Sequence, residues 1–245
     1  MAYGHTVKPM APQFVTPYVK SNKNDARDAE AICEAVTRPN MRFVPIKNAE
    51  QQAVLSLHRA RQGFIKSRAA QGNQIRGLLS EYGLIMPQGF YNICKRVPDI
   101  LEDGENGLPG NMRALINRLT EHLKELDTQV NTLDKEIKLW SASSEACQKL
   151  TDVPCIGPLI ASALVATIGD AKNFTSGREL AAWLGLVPKQ HSSGGKSVLP
   201  GISKRGDIYL RMLLIHGARA VIRFVEGKQD KTSEWTQRLL ARRND

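Results

Sequence analysis

The stretch ALINRLTEHLKELDTQVNTLDKEIKLW, residues 114–140, decides the fold class. Ile116, Leu119, Leu123, Leu126, Val130, Leu133, Ile137 and Trp140 recur at spacings of 3, 4, 3, 4, 3, 4 and 3. A strand alternates with a period of two, whereas a helix brings residues three and four apart onto one face. The spacing therefore predicts a long helix with one apolar seam. It is also the a/d repeat of a coiled coil, formed with the preceding helix or with another chain. One helix of an ordinary bundle would carry the same pattern over this length.

Working outward, residues 49–82 form a second long helical pattern. Val54, Leu57, Phe64, Ile65, Ile75, Leu78, Leu79 and Tyr82 lie on its apolar side, and Arg59, Arg61, Lys66, Arg68 and Arg76 load the rest. GLIMPQGF (83–90) and EDGENGLPG (102–110) interrupt with glycine and proline. From 146 the character changes. QKLTDVPCIGPLIASALVATIGD (148–170) reads as helix, tight turn, helix. This helix-hairpin-helix-like turn can offer backbone N–H groups to a phosphate, and a plain αα corner reads equally well. GRELAAWLGLVP (177–188) is a short helix stopped by Gly185 and Pro188. DIYLRMLLIHGARAVIRFVEG (207–227) is amphipathic and carries Arg211, Arg219 and Arg223, and WTQRLLARRND closes the chain as a basic helix. Near the N-terminus one short strand fits His5–Met10. SNKNDARDAEAICEAVTRP (21–39) reads as a helix with a stripe of Ala29, Ile32, Cys33 and Val36, and MRFVPI (41–46) is extended. The expected fold is mainly α, in three parts: 1–48, 49–145 and 146–245.

The net charge of +10 is unevenly placed. Residues 1–80 carry 12 Lys/Arg against 5 Asp/Glu, residues 81–145 carry 7 against 11, and residues 186–245 carry 12 against 5. Two basic ends flanking an acidic middle favour a polyanionic partner, nucleic acid first. The longest apolar run, LIASALVATIG (159–169), is too short to span a bilayer, and no signal peptide is read. Cys33, Cys94, Cys147 and Cys155 form no CxxC pair, which argues against zinc and for reduced thiols in the cytoplasm.

PKQHSSGGKSVLPGISKRG (188–206) looks at first like a nucleotide-binding loop. Gly195, Lys196 and Ser197 match the end of G-x-x-x-x-G-K-[ST], but the required first glycine falls on Gln190 and the preceding segment is helical, so the nucleotide reading fails. SSGG suits a linker. Lys204, Arg205 and Arg211 converge at the start of the next helix and suit phosphate contact, as does Lys196. A serine bordered by glycine can approach a phosphodiester closely, yet needs a base or a metal to attack. Asp25 and Asp28, at i and i+3, share a helix face. They can hold Mg²⁺, or simply complement the helix dipole.

Together KNDARDAEAI (23–32), LTDVPCIGPLIASALVATIGD (150–170), FTSGRELAAWLGLVPKQHSSGGK (174–196) and ISKRGDIYLRMLLIHGARA (202–220) resemble the DEDD-type bacterial insertion-sequence transposases that carry a C-terminal serine domain. The resemblance implies a ribonuclease-H-like α/β domain, of which this chain holds a remnant, then long coiled-coil helices and a compact helical C-terminal domain. It implies recombination of a mobile element with DNA, guided by a structured bridge RNA, in dimers or tetramers, in the bacterial cytoplasm at the nucleoid. Asp25 and Asp28 match the last two acids of the Mg²⁺-binding tetrad. Ser192 and Ser193 lie at the motif of the attacking serine, with Ser193 favoured because it directly precedes glycine. The first Asp and the Glu of the tetrad have no place in the 24 residues before Asp25, so the chain is expected to be an N-terminally truncated member whose activity is in question. The alternatives are a non-catalytic nucleic-acid-binding remnant or competitor and, more distantly, a helix-hairpin-helix repair nuclease.

Overall fold

The computed structural model describes residues 4–19, 24–194, 196–198 and 200–242, with backbone alone at 191–193 and 197. The first residues of the helix expected over 21–39 lie outside the described residues. The chain divides into two compact units, residues 1–51 and 52–245.

In the first unit, helix α1 (Pro12–Val15) begins on its proline. Helix α2 (Asp25–Val36) is capped by Asn24, whose side chain accepts from the Ala26 N–H at 2.9 Å. The inward face of α2 is Ala31 and Ala35, and Ile32 and Val36 stay open to solvent. The predicted stripe is therefore displaced: small alanines let α2 lie close to α1 and the turn after it. The expected His5–Met10 strand contracts to one bridge between Met10 and Phe43, with Val44 N–H donating to Pro9 O at 2.7 Å. Pro9 and Pro12 have no N–H for a ladder, which stops a strand from extending.

The second unit contains α3 (Ala49–Ser80, entering from the first), α4 (Phe90–Glu102), α5 (Gly110–Ser143), α6 (Glu145–Thr151), α7 (Pro158–Ile168), α8 (Gly177–Trp183), β1 (His191–Ser193), β2 (Lys196–Val198), α9 (Ile208–Ile222) and α10 (Lys231–Ala241). The mainly α expectation holds. The long helices α3 and α5 run antiparallel: Arg61 pairs with Asp134 at 2.5 Å and Arg68 with Asp127, each partner seven residues from the last, and Gln71 reaches His122. The predicted seam faces inward, and polar residues share its face. Ile116, Leu123, Leu126, Val130 and Ile137 are buried as expected, and Leu119, Leu133 and Trp140 are half-buried. Alongside them the polar Thr120 and Ser141 are buried too, and Asp127 and Asp134 face α3. Leu119 packs on the cluster that α3, α4 and α5 share. That cluster contains Ile75, Leu79, Ile93, Val97, Ile116 and Leu123. Gly72 makes room for it, since a Cβ there would meet Ile93 at 3.1 Å. Arg113 closes the glycine-rich loop before α5 by donating to the carbonyls of Ile100, Leu101, Asp103 and Leu108 and to Asn106 Oδ1.

The helix-turn-helix expected from 148 is α6, a turn and α7. Helix α7 is apolar almost all round and lies at the centre of the C-terminal half, packed by α5, α6 and α9. Ile160, Ala163, Leu164, Leu184, Leu210 and Leu213 form its core. The turn before it sits on α9 through Gly217, where a Cβ would lie 2.5 Å from the Cys155 carbonyl oxygen. Cys155 itself takes φ +74 to make that turn.

Candidate active site

The described residues of 186–206 form a β ribbon, so Ser192 and Ser193 lie in paired backbone and not in a linker. The ribbon's base is set by the end of α8. Gly185 has φ +70, its N–H donates to Ala182 O at 3.0 Å, and Leu186 N–H donates to Ala181 O at 2.9 Å. This pair of bonds is the Schellman ending that glycine permits. From there the chain leaves as an extended arm. Ser203 N–H donates to Val187 O at 2.7 Å, Lys189 N–H to Gly201 O at 3.1 Å, and Pro188 bridges Ile202. Further out β1 and β2 pair antiparallel, with His191 opposite Val198, Ser192 opposite Ser197 and Ser193 opposite Lys196. Gly194, next along the chain, has φ +58, a backbone conformation that glycine adopts readily. Ser193 is thus the last paired position before the tip. The side chains of Ser192 and Ser193 lie outside the described residues.

On its return the ribbon is pressed onto α8. A Cβ on Gly206 would lie 2.1 Å from the Trp183 carbonyl oxygen, and one on Gly185 would lie 2.6 Å from the Arg205 nitrogen. Only glycines fit here. Lys204 adopts φ +57, and its N–H donates to Gly185 O at 3.0 Å. Asp207 then caps α9 by accepting from Leu210 N–H at 2.8 Å. Lys196, Lys204 and Arg205 are solvent-exposed on the ribbon and its base. Arg211 is different. It is buried, and its guanidinium donates to Leu184 O at 3.0 Å and Gly206 O at 3.2 Å. Its charge is spent tying α8, the ribbon's return and α9 together.

Behind this base lies a buried polar chain that sequence reasoning missed. His58 of α3 is 1% exposed. Its Nε2 lies 3.1 Å from Ser162 Oγ on α7, and its Nδ1 lies 3.0 Å from the Tyr209 hydroxyl on α9. Ser162 donates its own proton to Leu159 O, so its lone pair accepts from His58 Nε2–H, and Nδ1 accepts from Tyr209. Arg61 bonds the same tyrosine hydroxyl and pairs with Asp134. Burial, reinforced by the nearby Arg61 charge and opposed by Asp134, holds the His58 pKa down to about 4. Burial likewise raises that of Tyr209. A neutral histidine thus joins the long hairpin to the helix that follows the ribbon. The available signal was position: Val54, His58, Arg61, Ile65 and Arg68 follow a 4, 3, 4, 3 spacing, so polar residues occupy seam sites.

A model of the transposase family IS116/IS110/IS902 matches residues 147–234, and an IS110-type DEDD transposase model matches residues 3–84. A Pseudomonas aeruginosa protein titled "Probable family 20 transposase" is 50% identical over 98% of this chain and 71% of its own length. The transposase for insertion sequence element IS1111A of Coxiella burnetii is 46% identical over 99% of this chain and 67% of its own length. That of element IS1328 of Yersinia enterocolitica is 44% identical over 98% of this chain and 71% of its own length. The chain belongs to the IS110/IS116 transposase family. It spans about seven tenths of these relatives' length.

In this transposase Asp25 and Asp28 occupy the first turn of α2, Asp25 exposed and Asp28 half-buried. No group of three or more His, Cys, Asp or Glu gathers among the described residues. Mg²⁺ is commonly held by one or two carboxylates, with waters and substrate phosphates completing its six oxygens. The pair fits that mode and not a four-acid cage. Among the described residues no helix is long and apolar enough to cross a membrane.

Proposed function

We propose that the β ribbon is the strand-transfer element of this transposase, with Ser193 as nucleophile. In that step Ser193 Oγ bonds to a DNA phosphorus. The bond to the leaving DNA oxygen breaks, the serine proton passes through water to that oxygen to give a free DNA hydroxyl, and a phosphoserine ester remains. Lys196, Lys204 and Arg205 are positioned to bind the flanking phosphates, and Arg211 holds the platform on which they stand. Within the first unit, Asp25 and Asp28 would hold Mg²⁺, which when bound supplies positive charge toward phosphate oxygens. The observation that carries the reading is the ribbon itself. Paired backbone brings the serine motif to a glycine tip, three exposed cations accompany it, and close glycine contacts fix its base. A guide RNA paired to the DNA, an assembly of two or four chains and a place at the nucleoid are supported by the family resemblance alone.

The two-acid arrangement favours a second reading, a chain that binds DNA without joining it and competes with fuller relatives. Incubation with labelled element-end DNA and Mg²⁺, resolved on a denaturing gel, separates the two. A covalent adduct lost in Ser193→Ala and retained in Ser192→Ala supports the first reading. An adduct lost only in Ser192→Ala moves the nucleophile by one residue. DNA binding with no adduct supports the second reading, and absence of DNA binding contradicts both.

A further inference from the structure

An apolar groove of about 560 Å³ opens between the 153–155 turn and helices α9 and α10, away from the ribbon in sequence and not used by the strand-transfer reading. Its walls include Pro154, Cys155, Val221, Ile222, Trp235 and Leu239. That volume is within the roughly 300–1,000 Å³ typical of small-ligand pockets. Trp235 is 61% exposed although it lines the groove, so its ring is available to an occupant. Charge says which occupant. Along α10, Lys231, Trp235, Arg238 and Arg242 recur at i, i+4, i+7 and i+11, one continuous stripe that sets the indole in a row of cations. All four are exposed, and Arg238 pairs with Glu234 at 3.6 Å.

An apolar slot with one open aromatic ring, edged by regularly spaced cations, matches a strand whose bases are free to leave the stack. Phosphates follow the cations, and a base lies against the indole. Duplex DNA would satisfy the cations but leave the slot empty. A protein helix would fill the slot but needs acidic partners for three cations. We propose that this groove binds unpaired nucleotides of the transposase's DNA, with Trp235 stacking on a base and Lys231, Arg238 and Arg242 holding the backbone. Because the lining is apolar apart from Thr232 and Thr236, recognition is by the face of the base and tolerates sequence.

The proposal rests on DNA being this chain's partner, and the test keeps the two apart. Fluorescence anisotropy of the full chain is measured with oligothymidine, with a duplex of the same length and with oligouridine. Trp235→Ala should weaken oligothymidine binding roughly tenfold and duplex binding less than twofold, and Trp235→Phe should restore most of the loss. Equal weakening on single strand and duplex, or none on either, overturns the groove assignment while leaving DNA binding intact. Oligouridine bound more tightly than oligothymidine, with the same Trp235 dependence, overturns DNA as the occupant. Binding to none of the three overturns the partner itself. Loss in both Trp235→Ala and Trp235→Phe, with unchanged melting, overturns the stacking role.

Discussion

Along the hairpin of α3 and α5, two helices meet through side chains: Arg61 with Asp134 and Arg68 with Asp127, one heptad apart, between layers of Ile, Leu and Val. Around the ribbon, the end of α8 and the 203–206 return meet backbone to backbone at Gly185 and Gly206. Side-chain pairs set register yet can relax when one partner changes. Backbone contacts at less than van der Waals distance from any added carbon have nowhere to go. The difference teaches where precision lies. The hairpin is a strut whose polar seam chooses one alignment, and the ribbon base is a rigid mount of the kind a reacting group needs.

The largest effect should come from breaking the mount. Gly206→Ala places a Cβ 2.1 Å from the Trp183 carbonyl oxygen. We expect a loss of about 3 kcal/mol or more and a Tm lower by roughly 6–12 °C. A calorimetric Tm within a degree or two of the parent would show that the base is not rigid.

A smaller effect belongs to the junction between strut and mount. The His58 pKa is lowered from 6.5 to about 4, so between those values the unfolded chain binds more protons than the folded one. This contribution to stability is complete above pH 6.5 and falls away as pH drops toward 4, by up to roughly 3 kcal/mol at about 1.4 kcal/mol per pKa unit. Urea midpoints taken across that window should fall with pH in the parent and fall less in His58→Phe. Parallel curves would remove His58 from the account.

The smallest effect should appear within the strut. A double-mutant cycle on Arg68→Ala and Asp127→Ala should give a coupling of about 1 kcal/mol, because both side chains keep some solvent access. A coupling of several kcal/mol would mean that the hairpin is built as tightly as the ribbon base.

Much of this contrast was legible in the letters, and the rest hid for physical reasons. The helical class followed from apolar spacing, and the buried positions Ile116, Leu123, Val130 and Ile137 were correctly placed. Leu126 is buried as well, while Leu119, Leu133 and Trp140 are only half-buried, because Thr120, Asp127, Asp134 and Ser141 share the packed face; they look solvated until Arg61 and Arg68 on α3 supply the setting of the two aspartates. The ribbon was missed because HSS and KSV lack the apolar alternation of a half-buried strand. Its pairing depends on Gly194 at positive φ and on bonds to residues 187–189. Arg211 looked like a phosphate ligand by its company in ISKRGDIYLR, and its burial against two carbonyls depends on how α8 ends. Asp25 and Asp28 were rightly placed at the start of a helix, which is a local property. A metal cage is not local, and two acids do not specify one.

The central claim is that DNA is met at the ribbon and not along the acidic middle of the chain. The dependence of DNA affinity on salt tests it most directly, since each phosphate contact contributes about 0.9 to the slope of log K against log salt. Lys204→Ala with Arg205→Ala should lower that slope by about 2, and Lys135→Ala with Lys138→Ala, on α5, should leave it unchanged. A slope lowered by the α5 pair and untouched by the ribbon pair would contradict the account.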